Sequence, residues 1–286
     1  MTGVICMTIE NEQCPICVSS GRKIFNLDFY ITDGSISTPV YYCKNCGIFW
    51  RIFKDPSIMN DHFKIASYTN FEREECFKNM RYKFFQQILG LIEKYHSKNS
   101  AKVLLDFGCS YGHLIDIANC SGYKCIGIEL VDHLREKLAH RHEIYKTLDF
   151  IKSNSIDAIT SIDSLYYVNE PYAIMNDFSR VLKDNGLLIV RITNRNYFIK
   201  MMLLFRKTIT PQIFGDNIIS FSHKSIKFIA RKTKFRIEKI IYQEDKPKKK
   251  KLFLKIGYGL FSYISRLTGI KLTPGLIYVL RKNRDG

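Results

Sequence analysis

At 286 residues, with 46% hydrophobic and 13% aromatic content, the chain can pack one large domain plus a small appendage, which excludes global disorder. A net charge of +17 points to an anionic partner: nucleic acid, a membrane surface or a phosphorylated substrate. No apolar run approaches the ~20 residues of a membrane span, and nine cysteines without an export signal argue for thiols and metal in a cytoplasmic protein.

In chain order, the first segment (1–60) reads as short strands and turns carrying "CPIC" and "CKNCG". The pairs Cys14-x-x-Cys17 and Cys43-x-x-Cys46 can each put two thiolates on one tetrahedral ion, closing a four-cysteine structural zinc site. Chance spacing or redox thiols are the alternative. Four cysteines argue for a closed ion rather than an open catalytic one, and Gly47 suits the knuckle turn. Cys6, Cys76, Cys120 and Cys125 lack partners at ligand spacing. Residues 61–95 are charged with periodic apolar positions (Phe77, Met80, Phe84, Ile88, Leu91, Ile92), which predicts a helix linking the small domain to the large one.

From residue 96 to 286 strands and helices alternate. "KVLLDF" predicts a buried strand, "GHLIDIANCSG" a helix ending at Gly122, "YKCIGIEL" a strand and "DHLREKLAHR" a helix. Strand-like "HEIYK", strand "SIDAITSI", helix "PYAIMNDFSRVLKDNG" and strand "LLIVRIT" follow. "YFIKMMLLF" (Tyr197–Phe205) is apolar but too short to span a membrane and carries Lys200. "SHKSIKFIARKTK" offers a helix N-capped by Ser222, then strands "FRIEKIIY" and "GLIYVLRK" (Gly275–Lys282) lie side by side. Between these two strands sits a basic, aromatic-containing insertion, Lys246–Leu272, opening with "KPKKKK". Repeated strand–helix units predict an α/β fold, a parallel sheet with helices on both faces.

The stretch "LLDFGCSYGHL" (104–114) is neither of the common phosphate-loop patterns. Ligands of such sheets bind at the carboxyl ends of the strands. Asp106 ends the first strand, Gly108 and Gly112 let the backbone turn, and Glu129 ends the second strand, where a carboxylate can accept from both hydroxyls of a ribose. Asp106 would repel a pyrophosphate but welcome a cationic amino-acid tail. S-adenosylmethionine has both the tail and the ribose.

"VLLDFGCSYGHLI" resembles motif I of the class I SAM-dependent methyltransferases. "SIDAITSIDSLYYVNEPYAIMNDFSRVLKDNGLLIVRITN" resembles their fourth strand, helix and fifth strand, and "FSHKSIKFIARKTKFRIEKI" their late helix and strand. The resemblance runs from about Arg81 to Arg281, interrupted by the basic insertion, and implies a Rossmann-like sheet. It implies that Asp106, Gly108 and Gly112 line the methionine end and that Glu129 holds the ribose. Asp149, in "TLDFI", falls near the adenine or is an ordinary surface acid; Cys109 packs beneath the loop. Where relatives often carry an acid and a histidine after the fourth strand, this chain has "LYYV" (Leu165–Val168). Tyr166 or Tyr167 could orient an acceptor hydroxyl or assist its deprotonation, or pack over the cofactor. His113, His223 and Asp163 are further candidates for the base, which the sequence does not identify.

The cysteine segment with "FWRIFKDPS…DHFKIASY" resembles the zinc ribbon that precedes the methyltransferase domain in many bacterial enzymes of surface-polysaccharide, sugar or natural-product pathways. Tyr41, Tyr42, Phe49, Trp50 and Tyr68 would wall an acceptor pocket or form the ribbon's own core. Three functions follow: methylation (O- or C-) of a sugar, sugar nucleotide or lipid-linked glycan; methylation of RNA; or a non-catalytic zinc-containing binding protein. Asp28, Asp33, Asp55 and Asp61 dilute the basic charge near the ribbon, which disfavours RNA. The heaviest basic cluster lies beside "LFLKIGYGLFSYISRL" (Leu252–Leu267), which would lie on an anionic membrane as an amphipathic helix, pack on the sheet edge or stay a solvated loop. The non-catalytic reading predicts loss of the cofactor acids, and both are present.

Overall fold

The computed structural model describes residues 11–31, 34–53, 58, 75–96, 102–205, 209, 214–243 and 275–283. Cys6, Asp33, Asp55, Asp61, Tyr68 and the Lys246–Leu272 insertion lie outside the described residues.

The N-terminal part is an antiparallel meander of β1 (Asn11–Gln13), β2 (Ser20–Ile31), β3 (Gly34–Tyr42) and β4 (Phe49–Arg51). Isoleucine, phenylalanine, tyrosine, threonine and valine recur along β2 and β3, side chains that favour a pleated, half-buried surface. The Trp50 indole lies over Gly21, where a Cβ would come within 1.9 Å of the ring. Tyr41, Phe49 and Trp50 are all buried, so they serve as core.

Helix α1 (Glu75–Tyr95) follows, and its buried Ile88, Leu89 and Ile92 make it part of a layer on the large sheet. The sheet elements then run β5 (Val103–Phe107), α2 (His113–Cys120), β6 (Lys124–Ile128), α3 (Asp132–Ala139), β7 (Glu143–Tyr145) and β8 (Ile156–Ile162). They continue with α4 (Pro171–Val181), β9 (Leu182–Thr193), α5 (Asn196–Leu204), β10 (Ile219–Ser220), α6 (His223–Lys232), β11 (Phe235–Gln243) and β12 (Gly275–Lys282). Ser222 caps α6 through a reciprocal pair of hydrogen bonds with Ser225, as its sequence position predicts.

Seven strands form the large sheet in the order β11-β12-β9-β8-β5-β6-β7. The pairs among β5 to β9 are parallel, whereas β12 runs antiparallel to both β9 and β11. The expected parallel sheet is thus present in β5 to β9, with an antiparallel edge at β12 and β11. Alternate residues feed opposite faces: Leu105, Phe107, Ile159 and Leu188 join one buried cluster, Leu104, Ala158, Leu187 and Ile189 the other.

Helix α4 stops at Val181, five residues before the predicted Gly186. Leu182 already pairs with Ile156, and the ladder resumes at Leu187 with Ala158, so "KDNG" bulges out of the strand. Asn185 takes a left-handed φ of 60° there, and buried Asp157 anchors the bulge by accepting from Lys183 Nζ at 2.8 Å and Val103 N–H at 2.8 Å.

The two parts share structure. β10 adds to the ribbon sheet, Ile219 opposite Trp50 and Ser220 opposite Phe49, giving the order β1-β2-β3-β4-β10. Asn196 Nδ2 donates to Gly47 O at 2.7 Å, Ser222 Oγ to Cys46 O at 3.0 Å, and Arg51 Nη2 to Gly215 O at 2.8 Å. Cys14, Ile16, Tyr41, Cys46, Ile48 and Trp50 lie in the same buried cluster as Leu105, Tyr166 and Phe221.

Candidate functional site

The parallel strands β5, β6 and β8 deliver their carboxyl ends to one edge of the sheet, and the loop after β5 is clamped between its neighbours there. Gly108 and Cys109 N–H both donate to Ile128 O, at 2.8 and 3.1 Å. Ser164 Oγ donates to Phe107 O at 2.6 Å, and Gly108, at φ 74°, leaves room for Ser164: a Cβ would sit 2.5 Å from the serine Cβ. Gly112, at φ 75°, opens α2, and its missing side chain makes space for Leu138 of α3.

Two carboxylates stand at this edge, both buried. Asp106 accepts from Thr160 Oγ1 at 2.7 Å. Burial pushes its carboxyl up to about 7, the negative Glu129 adds to the rise, and the Thr160 bond opposes it. Glu129 takes Val131 N–H on Oε1 at 2.9 Å and Ser110 N–H on Oε2 at 2.8 Å. Burial raises its carboxyl too, against those backbone donors. A carboxylate has about four acceptor positions, so two bonds leave capacity for a diol. The donor set fits a cationic, ribose-bearing ligand.

Beside Glu129, Leu130 is exposed. Glu129 N–H donates to Tyr145 O at 3.0 Å, and the Tyr145 ring stacks on exposed Phe150 with centroids 5.9 Å apart. Asp149 is exposed on the 3-10 turn Leu148–Phe150 and accepts from Thr147 Oγ1 at 2.9 Å. Leu130, Tyr145 and Phe150 thus present apolar surface next to the carboxylate. Sequence reasoning missed them because isolated apolar residues in a short edge strand and the turns beside it carry no periodic signal.

Beyond β8, the 3-10 turn Leu165–Tyr167 places the two tyrosines differently. Tyr166 is buried, and its carbonyl accepts Ile218 N–H at 2.9 Å. The half-buried Tyr167 ring lies edge-on at 4.6 Å from Tyr166, and its hydroxyl donates to Asp216 Oδ2 at 2.9 Å. Asp216 lies on the segment that ends in β10, so the ribbon-bound part of the chain meets the end of β8. Its role was not legible in "FGDN", which reads as a turn. Arg51, fully buried between the Phe29 and Phe214 rings, lies in the field of Asp216, and burial lowers its guanidinium to about 10.

Two of the other base candidates are engaged elsewhere. His223 Nδ1 lies 3.2 Å from Tyr278 Oη with the rings stacked, and Asp163, at φ 57°, is ion-paired to Arg191. His113 opens α2, half-buried, with its ring 6.2 Å from that of Tyr111.

The four predicted cysteines converge. Their Sγ atoms all lie within 4.8 Å of one another, Cys14–Cys46 at 3.4 Å and Cys17–Cys43 at 3.5 Å. Zn–S bonds of about 2.3 Å in a tetrahedron set sulfurs about 3.8 Å apart, so the cluster has the size zinc needs. The two knuckles repeat one geometry: Val18 N–H bonds Cys14 O at 3.0 Å, and Gly47 N–H bonds Cys43 O at 2.8 Å. Both turns use a left-handed residue, Gly47 at φ 79° and Val18 at φ 60°, the latter strained for a β-branched side chain.

The chain belongs to the methyltransferase domain family, whose model matches residues 77–240, more than half its length. It is 32% identical over 144 residues to an uncharacterized protein of Methanocaldococcus jannaschii, covering 50% of this chain and 59% of that one. It is 28% identical over 119 residues to a ubiquinone biosynthesis O-methyltransferase of Idiomarina loihiensis, covering 38% and 49%. The chain thus spans between about half and three-fifths of the length of these curated relatives. Among solved structures, the PH0226 protein of Pyrococcus horikoshii OT3 superposes with a TM-score of 0.53 at 14% identity, over 78% of this chain and 98% of that one. The large sheet and its helices have the class I SAM-dependent methyltransferase fold, with a four-cysteine cluster at the N-terminal side.

Proposed function

We propose that the protein transfers a methyl group from S-adenosylmethionine to a sugar, sugar nucleotide or lipid-linked glycan in the cytoplasm, with zinc in the four-cysteine cluster as a structural ion. The observation that carries the cofactor reading is the pair of buried carboxylates, Asp106 and Glu129, at the ends of adjacent parallel strands. Asp106 would hold the ammonium of the methionine tail and Glu129 the ribose hydroxyls, while Leu130 and Phe150 flank the adenine. The bound cofactor supplies an electrophilic methyl on a sulfonium.

A hydroxyl acceptor is supported by the polar groups where β8 and β9 meet the ribbon-bound segment. Asp216 accepts from Tyr167 at 2.9 Å, and Asn217 Nδ2 donates to Thr193 Oγ1 at 3.3 Å. Carboxylate, phenol and amide suit a ligand rich in hydroxyls. The ribbon-first arrangement and the O-methyltransferase among the relatives favour the same chemistry. In this reading the acceptor hydroxyl gives its proton to Tyr167 Oη as the phenol passes its own to Asp216, so two protons shift for a net transfer of one and the carboxylate ends neutral. Tyr167→Phe and Asp216→Asn should each lower kcat by about 100-fold with KM little changed, because the relay acts in the transition state. A kcat within about threefold of wild type in both would remove the pair from the chemistry.

The acceptor is tested by incubating the protein and methyl-labelled cofactor with a bacterial extract, then separating lipid, small-molecule and RNA fractions. Label in lipid-linked glycan or soluble sugar supports the proposal. Label in RNA overturns it and makes the positive surface a phosphate grip.

A further inference from the structure

Helix α5 (Asn196–Leu204) presents an apolar face that remains exposed among the described residues. Its inner side belongs to the ribbon core, where Ile199, Met202 and Leu203 pack with Leu27, Val40, Phe49 and Phe214. On the outer side Tyr197 is 41% exposed, Phe198 47%, Leu204 77% and the following Phe205 66%. At 100° per residue these four and Met201 fall on one continuous arc, with exposed Lys200 at its margin.

Charge identifies what the face meets. Along the chain, the segment 194–215 that carries it holds Arg195, Lys200, Arg206 and Lys207 and no acidic residue. A second copy of the helix would bring like charges together, and the Lys246–Lys251 run of the same chain is equally cationic. An anionic surface with an apolar interior matches both halves of the pattern: cations for its headgroups, aromatic and aliphatic side chains for the layer beneath. Nine residues make a helix about 13 Å long, enough to lie in the interface and too short to cross. Among the described residues no helix is long and apolar enough to span a membrane.

We infer that α5 docks the protein on an anionic lipid surface through Tyr197, Phe198, Met201, Leu204 and Phe205. The helix starts three residues after β9 ends, and β9 ends at the acceptor edge of the sheet. Docking would therefore turn that edge toward the membrane. This deepens the lipid-linked alternative of the proposed function, but the binding itself requires neither cofactor nor acceptor.

The test is flotation of the full-length protein with vesicles of phosphatidylcholine alone or with added phosphatidylglycerol, in the absence of cofactor. The wild type should float with the anionic vesicles, and Leu204→Glu with Phe205→Glu should weaken that partition by about tenfold or more at unchanged melting temperature. A Tyr197→Trp reporter should shift to the blue with anionic vesicles and be quenched by brominated lipid, against the buried Trp50 background. The inference fails if the double variant floats like wild type or if the reporter does not respond, since the lysine run would then bind alone. It also fails if neither protein floats, or if the variant splits a wild-type dimer in sedimentation velocity, which would make the face a contact between copies. Every one of these results leaves methyl transfer to a soluble sugar standing.

Discussion

Stripping the metal from the four-cysteine cluster, by chelation or by Cys46→Ser, is expected to unfold more than the ribbon. The purified protein should carry about one zinc per chain, and its loss should lower the melting temperature of the whole molecule by more than about 10 °C. The reason lies in the shared parts. Cys46 O accepts from Ser222, the cap of α6, and Gly47 O accepts from Asn196, the first residue of α5. β4 supplies the partner strand of β10, and the cysteines sit in the same buried cluster as Leu105 and Phe221. Structural zinc contributes an apparent ~10–16 kcal/mol in isolated finger peptides, comparable to the ~5–15 kcal/mol that holds a whole domain together. Calorimetry with elemental analysis reads the outcome. A single transition that moves with zinc content supports one cooperative unit. Two transitions, only one of them zinc-sensitive, would separate the parts, and a metal-free protein with unchanged melting would dismiss the ion.

That coupling was largely hidden in the amino-acid sequence. The cysteine spacing is legible because two C-x-x-C pairs suit one tetrahedral ion, and the loop around Asp106 because an acid follows a buried apolar run. Glu129 is legible for the same reason. β10 is not: Ile219 and Ser220 are too short a strand to show a period, and they pair with residues 169 and 171 positions earlier. Ser110 and Val131 hold Glu129 through backbone N–H groups, which any residue type provides. The end of α4 was misplaced because "LKDNG" continues the helical charge pattern, while the sheet register claims Leu182 for β9. Tertiary pairing decided each of these points where local propensity was neutral or opposed.

The affinity of the protein for S-adenosylmethionine is expected to rise with pH up to about 7 and to fall again above about 8, where the free ligand's α-amino group loses its proton. Asp106 is the cause. Burial lifts its carboxyl from 3.8 to about 7 in the ligand-free protein, with Glu129 nearby reinforcing the lift. A raised carboxyl stabilises the fold while it is protonated: the contribution is complete below about pH 4 and disappears as pH climbs through 7. A shift of about three units corresponds to roughly 4 kcal/mol, an order-of-magnitude cost of keeping this charge buried and unpaired near pH 8. An ammonium beside Asp106 removes that cost, so the ligand selects the ionised form. Below pH 7 binding must expel the proton, and affinity should fall by up to about tenfold per pH unit. Titration calorimetry in two buffers of different ionisation enthalpy should show about one proton released at pH 6 and a net uptake at pH 8, where the ligand's amino group must be protonated to bind as the ammonium. Asp106→Asn should bind weakly with no proton release, while its ligand-free form becomes more stable than wild type above pH 7. Affinity that is flat from about pH 5.5 to 8 would mean that the ammonium is held elsewhere, and that Asp106 is a neutral acid bonded to Thr160 for the sake of the loop.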